Sequence, residues 1–226
     1  MNVWWEPYHM TELQQKLNQI RIPAQSPRRK ALIGVVITLV SGVILGVFSK
    51  WLDNLPLDST IWWHRLLEKL DLGNFFSEFA IWMLIALILA VFSASALRAA
   101  LNVFAFFAGM CAAYHLYTIL FSGFNPVSYM MIWYGITLVS PFLAVICWYA
   151  KGEGPVSVIL DILIIAAFSL SCFGIGLFYI SSRGVLYLLV FVGSVLVLYQ
   201  NPRRLLITLP VGFFLSFLLS PIWPYR

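Results

Sequence analysis

The chain has 226 residues, of which 62% are hydrophobic and only 10% are charged, and its mean hydropathy is +0.91. This composition excludes a soluble globular domain and indicates a protein that resides in a lipid bilayer. The formal net charge of +5 does not indicate nucleic-acid binding, because the basic residues lie mainly in short segments between apolar runs. Basic residues in such segments orient membrane helices, so no nucleic-acid partner is predicted.

Residues 1–30 are more polar than the rest of the chain. Within them, Leu13, Leu17 and Ile20 have the spacing of one helix face, which predicts a short amphipathic surface helix. Pro23 ends that helix, and a basic cluster then precedes the first apolar run. We therefore interpret this segment as a cytoplasmic surface element.

The first predicted span, Ala31 to Ser49, carries small residues four apart, among them Gly34, Gly42 and Gly46. The last two form a GxxxG pattern, which allows another helix backbone to approach closely. Packing against a helix of the same chain is the favoured interpretation. Docking of a membrane partner subunit through this first span is the alternative.

The segment that follows the first span is amphipathic up to about Asn74. A cap at Asp58 or Ser59 and a stop at Gly73 predict a helix lying flat at the outer membrane interface. His64 falls on its polar side and is expected to be solvated, because no second metal ligand stands four residues away.

The remaining apolar runs predict an all-α polytopic bundle of about seven transmembrane spans, with six as the fallback. Residues 31–226 would form this single bundle, because the connections are too short to hold a soluble domain. The later spans are predicted at Phe75–Ser93, Ala99–Phe121, Val127–Ala150, Val156–Ile180, Val185–Gln200 and Leu205–Ser220.

The distribution of basic residues predicts the orientation of this bundle. Nine of the 14 Lys and Arg residues fall on the side of the N-terminus, which is therefore expected to face the cytoplasm of a plasma membrane. The other five are Lys50, Arg65, Lys69, Arg183 and Arg226.

Helical rise places several polar and aromatic residues at one depth. His115 and Trp133 each lie roughly 9 Å inward from the outer ends of their spans, and Glu78 lies about 5 Å inward. These residues predict an outward-facing pocket for a small molecule, with aromatic walls and a few polar groups. The candidate ligand-binding residues are His115, Glu78, Tyr114, Tyr117, Asn125, Tyr129, Trp133 and Tyr134.

Each candidate also has a structural interpretation. The Tyr and Trp residues are typical of an interfacial aromatic belt, and Glu78 could reach water along the membrane surface. Ionisable residues within spans usually face a bundle interior, and a hydrogen bond from His115 to a neighbouring helix would satisfy that rule as well as a ligand would. Asp161 is expected to pair with Lys151 or to cap exposed backbone groups.

No catalytic motif is evident. Intramembrane hydrolases need a nucleophile with a base, paired aspartates or a metal-binding HExxH motif, and the sequence contains none of these. The three cysteines, Cys111, Cys147 and Cys172, all lie within apolar runs and give neither a disulfide framework nor a CxxC metal site. No metal or other cofactor is predicted, and a non-enzymatic role is favoured.

Three stretches carry a resemblance to a family of uncharacterised multi-pass membrane proteins of Gram-positive bacteria. They are the segment from Gly46 to Pro56, the Tyr114–Thr118 stretch with the turn at 123–126, and the segment from Cys147 to Gly152. The resemblance covers most of the chain but implies no activity. In its architecture the chain is also similar to the S components of energy-coupling factor transporters, which resemble it in an outward-facing ligand pocket and a small-residue row on the first span.

Two functions of different class follow. The first is a small-molecule binding or transport component that uses the outer pocket and has no ATPase of its own. The second is a non-catalytic structural or regulatory subunit of a membrane complex, in which the aromatic residues serve packing alone.

Overall fold

The computed structural model describes residues 12–25, 27–176 and 179–223, and these form ten α-helices and one short hairpin. The helices are α1 (Glu12–Ile20), α2 (Arg28–Asp53), α3 (Trp62–Lys69), α4 (Leu72–Ser77), α5 (Phe79–Val91), α6 (Ala96–Tyr117), α7 (Val127–Ala150), α8 (Gly154–Cys172), α9 (Val185–Leu198) and α10 (Pro202–Leu219). A π-helical turn (Thr118–Ser122) extends α6, and a 3-10 turn (Ser220–Ile222) follows α10. Strands β1 (Phe173–Ile175) and β2 (Ile180–Ser182) pair antiparallel. The predicted predominance of helix is confirmed.

Seven of these helices, α2 and α5 to α10, run alternately between two ends of the bundle. At one end, called the α1 end, α1 lies beside the turns at 92–95, 151–153 and 199–201. At the opposite end, called the hairpin end, the β-hairpin lies with the segment 54–78 and the turn at 123–126. This alternation brings residues that are distant in sequence into two polar layers.

Five helices are long and apolar enough to cross a membrane: α2, α6 with its π-helical turn, α7, α8 and α10 with the 3-10 turn. The other two of the alternating set, α5 and α9, are also apolar but have 13 and 14 residues. This is the pattern of a multi-pass helical membrane protein.

The predicted span Val156–Ile180 is too long, because α8 ends at Cys172 and the chain turns into the hairpin. Two glycines lie close to side chains of the opposite arm of the hairpin, since a Cβ at Gly174 would overlap the Ser181 hydroxyl and one at Gly176 would overlap the Tyr179 ring unless those side chains moved. An unbroken apolar run does not distinguish a short strand from a helix, so hydrophobic periodicity does not predict the hairpin.

The predicted span Phe75–Ser93 is also interrupted. It breaks at Glu78, whose extended backbone (φ −94°, ψ 167°) separates α4 from α5. Glu78 therefore lies at the N-terminus of a helix, whereas the sequence predicted it one turn inside a span.

Helix α3 begins at Trp62, later than the predicted cap at Asp58 or Ser59. The expectation that His64 is solvated is wrong, because the residue is only 7% exposed. Its Nδ1 accepts a hydrogen bond from the Asp58 backbone N–H at 2.8 Å, so the ring closes the loop before the helix.

Two fully buried tryptophans anchor the aromatic core at opposite ends. The indole N–H of Trp82 donates to the Phe76 carbonyl at 2.8 Å, and that of Trp148 donates to the Ser93 carbonyl at 2.9 Å. A buried indole needs a partner for its single donor, and here one satisfies a carbonyl in the last turn of α4 and the other a carbonyl in the turn after α5. The tryptophans thus fix the chain at the turns that begin and end α5.

The small-residue row of α2 packs against α6 of the same chain. A Cβ at Gly42 would overlap the Phe106 carbonyl, and a Cβ at Gly46 would overlap the Met110 carbonyl. On the opposing helix, a Cβ at Gly109 would come within 2.5 Å of the Leu39 carbonyl. Gly34 has more room, with the Asn102 amide at 3.6 Å. The face of Gly42 and Gly46 is therefore occupied within the chain.

This contact predicts that Gly42→Ala destabilises the fold by about 1–3 kcal/mol, because the added methyl forces the two backbones apart. Gly135→Ala is the matched control, since Gly135 lies in α7 and a Cβ added there would have no atom within 4 Å. Helix propensity alone favours that control change by up to about 1 kcal/mol. Thermal unfolding of the detergent-purified protein measures both, and equal midpoints for the two variants would contradict the close contact.

Candidate functional site

A cavity of about 310 Å³ opens at the hairpin end between α5, α7, the end of α8 and the residue that follows β2. Its α7 wall consists of residues spaced three and four apart, which is one helix face. The polar groups come from the break before α5, from the end of α8 and from the segment after β2. The lining residues are Ser77, Glu78, Phe79, Ala80, Tyr129, Ile132, Trp133, Ile136, Ser171 and Arg183.

An ion pair forms the polar side of this cavity. Arg183 Nη2 donates to Glu78 Oε1 at 2.8 Å, and Arg183 Nη1 donates to the Ser171 carbonyl at 3.1 Å. The guanidinium also lies 5.1 Å from the centre of the Tyr187 ring, within the range of a cation–π contact. Because Glu78 begins α5, the positive end of that helix further favours its negative charge.

Arg183 is a site residue that the sequence patterns did not single out. In the sequence Arg183 contributes only to the predicted membrane orientation. A single Arg between two apolar runs is itself a pattern that can mark a functional residue. What brings it to Glu78 is the hairpin, which returns the chain from the end of α8 before α9 begins. Without the hairpin in the prediction, the pairing could not be foreseen.

Aromatic rings form the opposite wall. Trp133 is 8% exposed, and its ring centre lies 6.1 Å from Phe79, 6.4 Å from Tyr129 and 6.5 Å from Trp82. Tyr129 is half-exposed at the same wall. Aromatic rings at these separations stabilise one another by more than the area they bury, so contacts between the rings hold this wall in place.

His115 does not line the cavity. Its Nε2 lies 2.7 Å from Asn125 Oδ1 and its Nδ1 lies 2.5 Å from the Tyr134 hydroxyl. Asn125 Oδ1 can only accept, so Nε2 carries the proton and Nδ1 accepts from Tyr134, an assignment made from the hydrogen-bond pattern. The three residues join α6 to α7 and to the turn between them. Ligand contact by His115 remains a prediction.

Tyr114 belongs to a third group, centred on Asp53. The Tyr114 hydroxyl donates to Asp53 Oδ2 at 2.8 Å, and the Ser77 hydroxyl donates to Asp53 Oδ1 at 3.1 Å. Lys50 Nζ lies 3.8 Å from the same carboxylate. Tyr117 instead packs on the Phe121 ring, with ring centres 4.7 Å apart. Of the eight sequence-predicted residues, the cavity thus brings together Glu78, Tyr129 and Trp133.

The α1 end contains cations bound to the carbonyls of helix C-termini. Arg21 donates to the Trp148 carbonyl at 2.7 Å and to the Val91 carbonyl at 2.9 Å, so it joins the ends of α7 and α5. Lys151 donates to the Val197 and Tyr199 carbonyls, each at 2.6 Å, at the end of α9. Burial lowers the pKa of Lys151 and of Arg21 from their ordinary values.

Asp161 pairs with Arg204, and the expected partner Lys151 is engaged elsewhere. Arg204 Nε and Nη2 both lie 2.6 Å from Asp161 Oδ2, and Arg204 also donates to the carbonyls of Ala150 and Gly152. Asp161 is almost fully buried, and the pair ties α10 to α8 at the α1 end. Structural contacts therefore explain why most of the buried charged groups are present at the α1 end.

Within the described parts of the chain, no group of three or more His, Cys, Asp or Glu side chains could hold a metal ion. Comparisons with protein-family models, with curated proteins and with solved structures found no match. Fold and site therefore define the class, a predominantly helical protein with at least five helices suited to a membrane and a polar cavity at one end.

The Glu78–Arg183 pair can be tested by a double-mutant cycle. Glu78→Gln or Arg183→Gln alone should lower the free energy of unfolding, because each leaves a partly buried charge without its partner. The double variant should recover part of the loss, with a coupling energy on the order of 1 kcal/mol, since both groups are partly exposed to solvent. Thermal unfolding in detergent measures all three variants.

The matched control is the cycle of Glu68→Gln and Lys69→Gln on α3. Both side chains are exposed, and neighbouring helix residues do not face each other, so no coupling is expected. Strictly additive effects at Glu78 and Arg183 would show that the ion pair contributes nothing to the fold.

Proposed function

We propose that this protein is the binding component of a membrane system for a small molecule, with its ligand in the cavity at the hairpin end. The observation that carries the proposal is the Glu78–Arg183 pair lining a cavity of about 310 Å³ with aromatic and apolar walls. Small-molecule sites have this form, with apolar and aromatic walls and a few directed polar groups.

The free-energy cost of placing this ion pair among apolar helices supports the proposal. Ionised groups among membrane helices are expensive to bury and commonly mark ligand or ion pathways. At the α1 end the buried cations satisfy helix carbonyls, which explains their presence structurally. Glu78 and Arg183 instead present their remaining hydrogen-bonding capacity to an open space beside Trp133. The aromatic wall would supply the burial and the ion pair the orientation of a ligand.

In the proposed membrane arrangement the chain crosses seven times and the α1 end faces the cytoplasm. Seven helices alternate between the ends, and the nine basic residues of the N-terminal side all belong to the α1 end. Helices α5 and α9 span only about 20 Å, so the hydrocarbon core would be thinned there or completed by flanking turns. The cavity then opens to the outside of a plasma membrane.

Cysteine labelling tests this arrangement with exposed positions on both ends. In intact cells a membrane-impermeant maleimide should label Leu57→Cys and Ser181→Cys, whereas Glu153→Cys and Arg203→Cys should react only after permeabilisation. The native cysteines lie within the helices and supply the background measurement in the unmodified protein. Labelling of Glu153→Cys in intact cells would show that the α1 end faces outward. Equal labelling of Ser181→Cys and Arg203→Cys would show that both positions lie on one side and that α9 does not cross the membrane.

A non-catalytic structural or regulatory subunit is the second candidate, and the outer face of α2 favours it. Helix α2 packs on α6 and α4, and Leu32, Val36 and Ile37 on its other side are more than half exposed. Such a face can meet lipid or another membrane helix. In that case the cavity would have no ligand and His115 would act only in packing.

The two candidates differ in how two variants behave in a thermal-shift screen of small polar molecules, among them amino acids, nucleosides, vitamins and polyols. For a compound that stabilises the unmodified protein, Trp133→Leu should abolish most of the stabilisation, because the cavity loses a main aromatic wall. His115→Ala should lower the unfolding midpoint yet keep the stabilisation by the compound, because it removes hydrogen bonds outside the cavity.

A compound whose stabilisation is lost in His115→Ala and kept in Trp133→Leu would place the site at the His115 group instead. If no class of compound stabilises the protein and Trp133→Leu changes only its unfolding midpoint, the proposed binding function is wrong and the structural candidate replaces it.

A further inference from the structure

We propose that the ligand is a single-chain amphiphile with an uncharged polar head, a class that deepens the proposed function and rests on it. The head lies beside Glu78 and Arg183, and the hydrocarbon chain lies in a second cavity deeper in the bundle. Four observations carry this assignment: the chemistry of the second cavity, its position next to the first, its opening to the side of the bundle, and the balance of charge at the head position.

The second cavity has a volume of about 300 Å³ and lies between α5, α6, α7 and α8. Its walls are apolar side chains such as Met83, Phe107 and Phe168, and the one hydroxyl among them is that of Ser140. That hydroxyl is already used, because it donates at 2.9 Å to the Thr137 carbonyl, whose helical donor is missing at Pro141. The cavity therefore offers a hydrocarbon surface without an unsatisfied polar group.

The two cavities are neighbours along α7. Phe79 and Ile136 line both of them, so these two side chains form the partition between the polar and the apolar space. From Ile136 to Cys147 the apolar cavity extends roughly 16 Å along the helix, as an apolar slot. In the proposed complex the Phe79 and Ile136 side chains turn aside, so that a head in the polar cavity and one medium-length chain in the apolar slot fit end to end.

The apolar cavity opens sideways between α7 and α8. Leu143 and Leu163 lie on its wall and are 46% and 47% exposed, so this wall reaches the outer surface of the helices. In the proposed membrane arrangement that surface contacts lipid chains. An amphiphile can therefore move from the bilayer into the slot without its chain crossing water.

The charge at the polar end selects the head. Glu78 and Arg183 neutralise each other, so an anionic head would meet the carboxylate and a cationic head would meet the guanidinium. A head of hydroxyl groups both donates and accepts, and it can bind the pair without displacing either partner. Monoacylglycerols are the simplest probes with this chemistry, and fatty acids and alkyltrimethylammonium ions of equal chain length are the charged comparisons.

The experiment uses the full chain in nanodiscs of diacyl lipid, because detergents are themselves single-chain amphiphiles. Binding of monooctanoyl-, monodecanoyl- and monododecanoylglycerol is measured, and a version with a photoreactive group at the end of its chain locates the site by mass spectrometry. Partition into the lipid itself also rises about fourfold for each added methylene, the value for burial of a CH₂ group. Binding is therefore measured as the excess over protein-free nanodiscs of the same lipid, and this excess should be saturable. Crosslinks should fall on the walls of the apolar cavity, and the charged comparisons should bind at least tenfold more weakly.

Two variants make the assignment specific. Ala167→Phe fills the apolar slot from α8 and should weaken the binding of monododecanoylglycerol at least tenfold. Ala112→Phe is the matched control, because Ala112 is exposed on α6 and lines neither cavity, so its binding should equal that of the unmodified protein. An unfolding midpoint recorded for each variant separates filling of the slot from loss of the fold.

Three results would overturn the proposal. Uptake no greater than that of protein-free nanodiscs, or crosslinks spread over the lipid-facing side of α2 as densely as over the slot, would show nonspecific partition. A compound that binds through Trp133 and is unaffected by Ala167→Phe would reject the amphiphile and leave the proposed binding function standing. Absence of binding by every probe, together with failure of the Trp133-dependent screen, would reject both.

Discussion

The fold depends on satisfying the carbonyl groups at helix C-termini where there is little water to bind them. The last carbonyls of a helix have no partner within it, and an unpaired carbonyl costs several kcal/mol in hydrocarbon. Arg21, Lys151 and Arg204 meet this need at the α1 end, and together they bind the ends of α5, α7 and α9. Each cation also interacts favourably with the negative helix terminus, so charge and hydrogen bonding act in the same direction.

The two ends of the bundle consequently differ in chemistry. At the α1 end Arg21, Lys151 and Arg204 are bound by backbone carbonyls or by Asp161, which leaves a closed polar layer with small internal space. At the hairpin end the same kind of contact is incomplete, since Arg183 gives one donor to a carbonyl and another to Glu78 beside a cavity. Structural use of charge therefore predominates at one end, and the ion pair that we propose as part of a ligand site lies at the other.

Sequence patterns predicted the parts of the fold that depend on hydrophobic runs and small residues. The helices α2, α6 and α7 and the close approach at Gly42 follow directly from such runs and spacings. Depth along a span was also informative, but rotation around it was not: Trp133 and its neighbour Tyr134 point about 100° apart on α7. The predicted layer therefore divides into a cavity wall and a separate hydrogen-bonded group around His115. The hairpin rests on the pairing of β1 with β2, and an apolar run contains no local pattern that predicts this pairing.

The position of Arg21 has a consequence for biogenesis. Its two acceptors lie 70 and 127 residues later in the chain, at Val91 and Trp148. At ordinary synthesis rates the second acceptor is made on the order of ten seconds after Arg21 itself. The Val91 acceptor exists once α5 has been made, but Arg21 cannot join the ends of α5 and α7 until Trp148 follows. The residue directly after α1 therefore reaches its final contacts only after α7 has been synthesised.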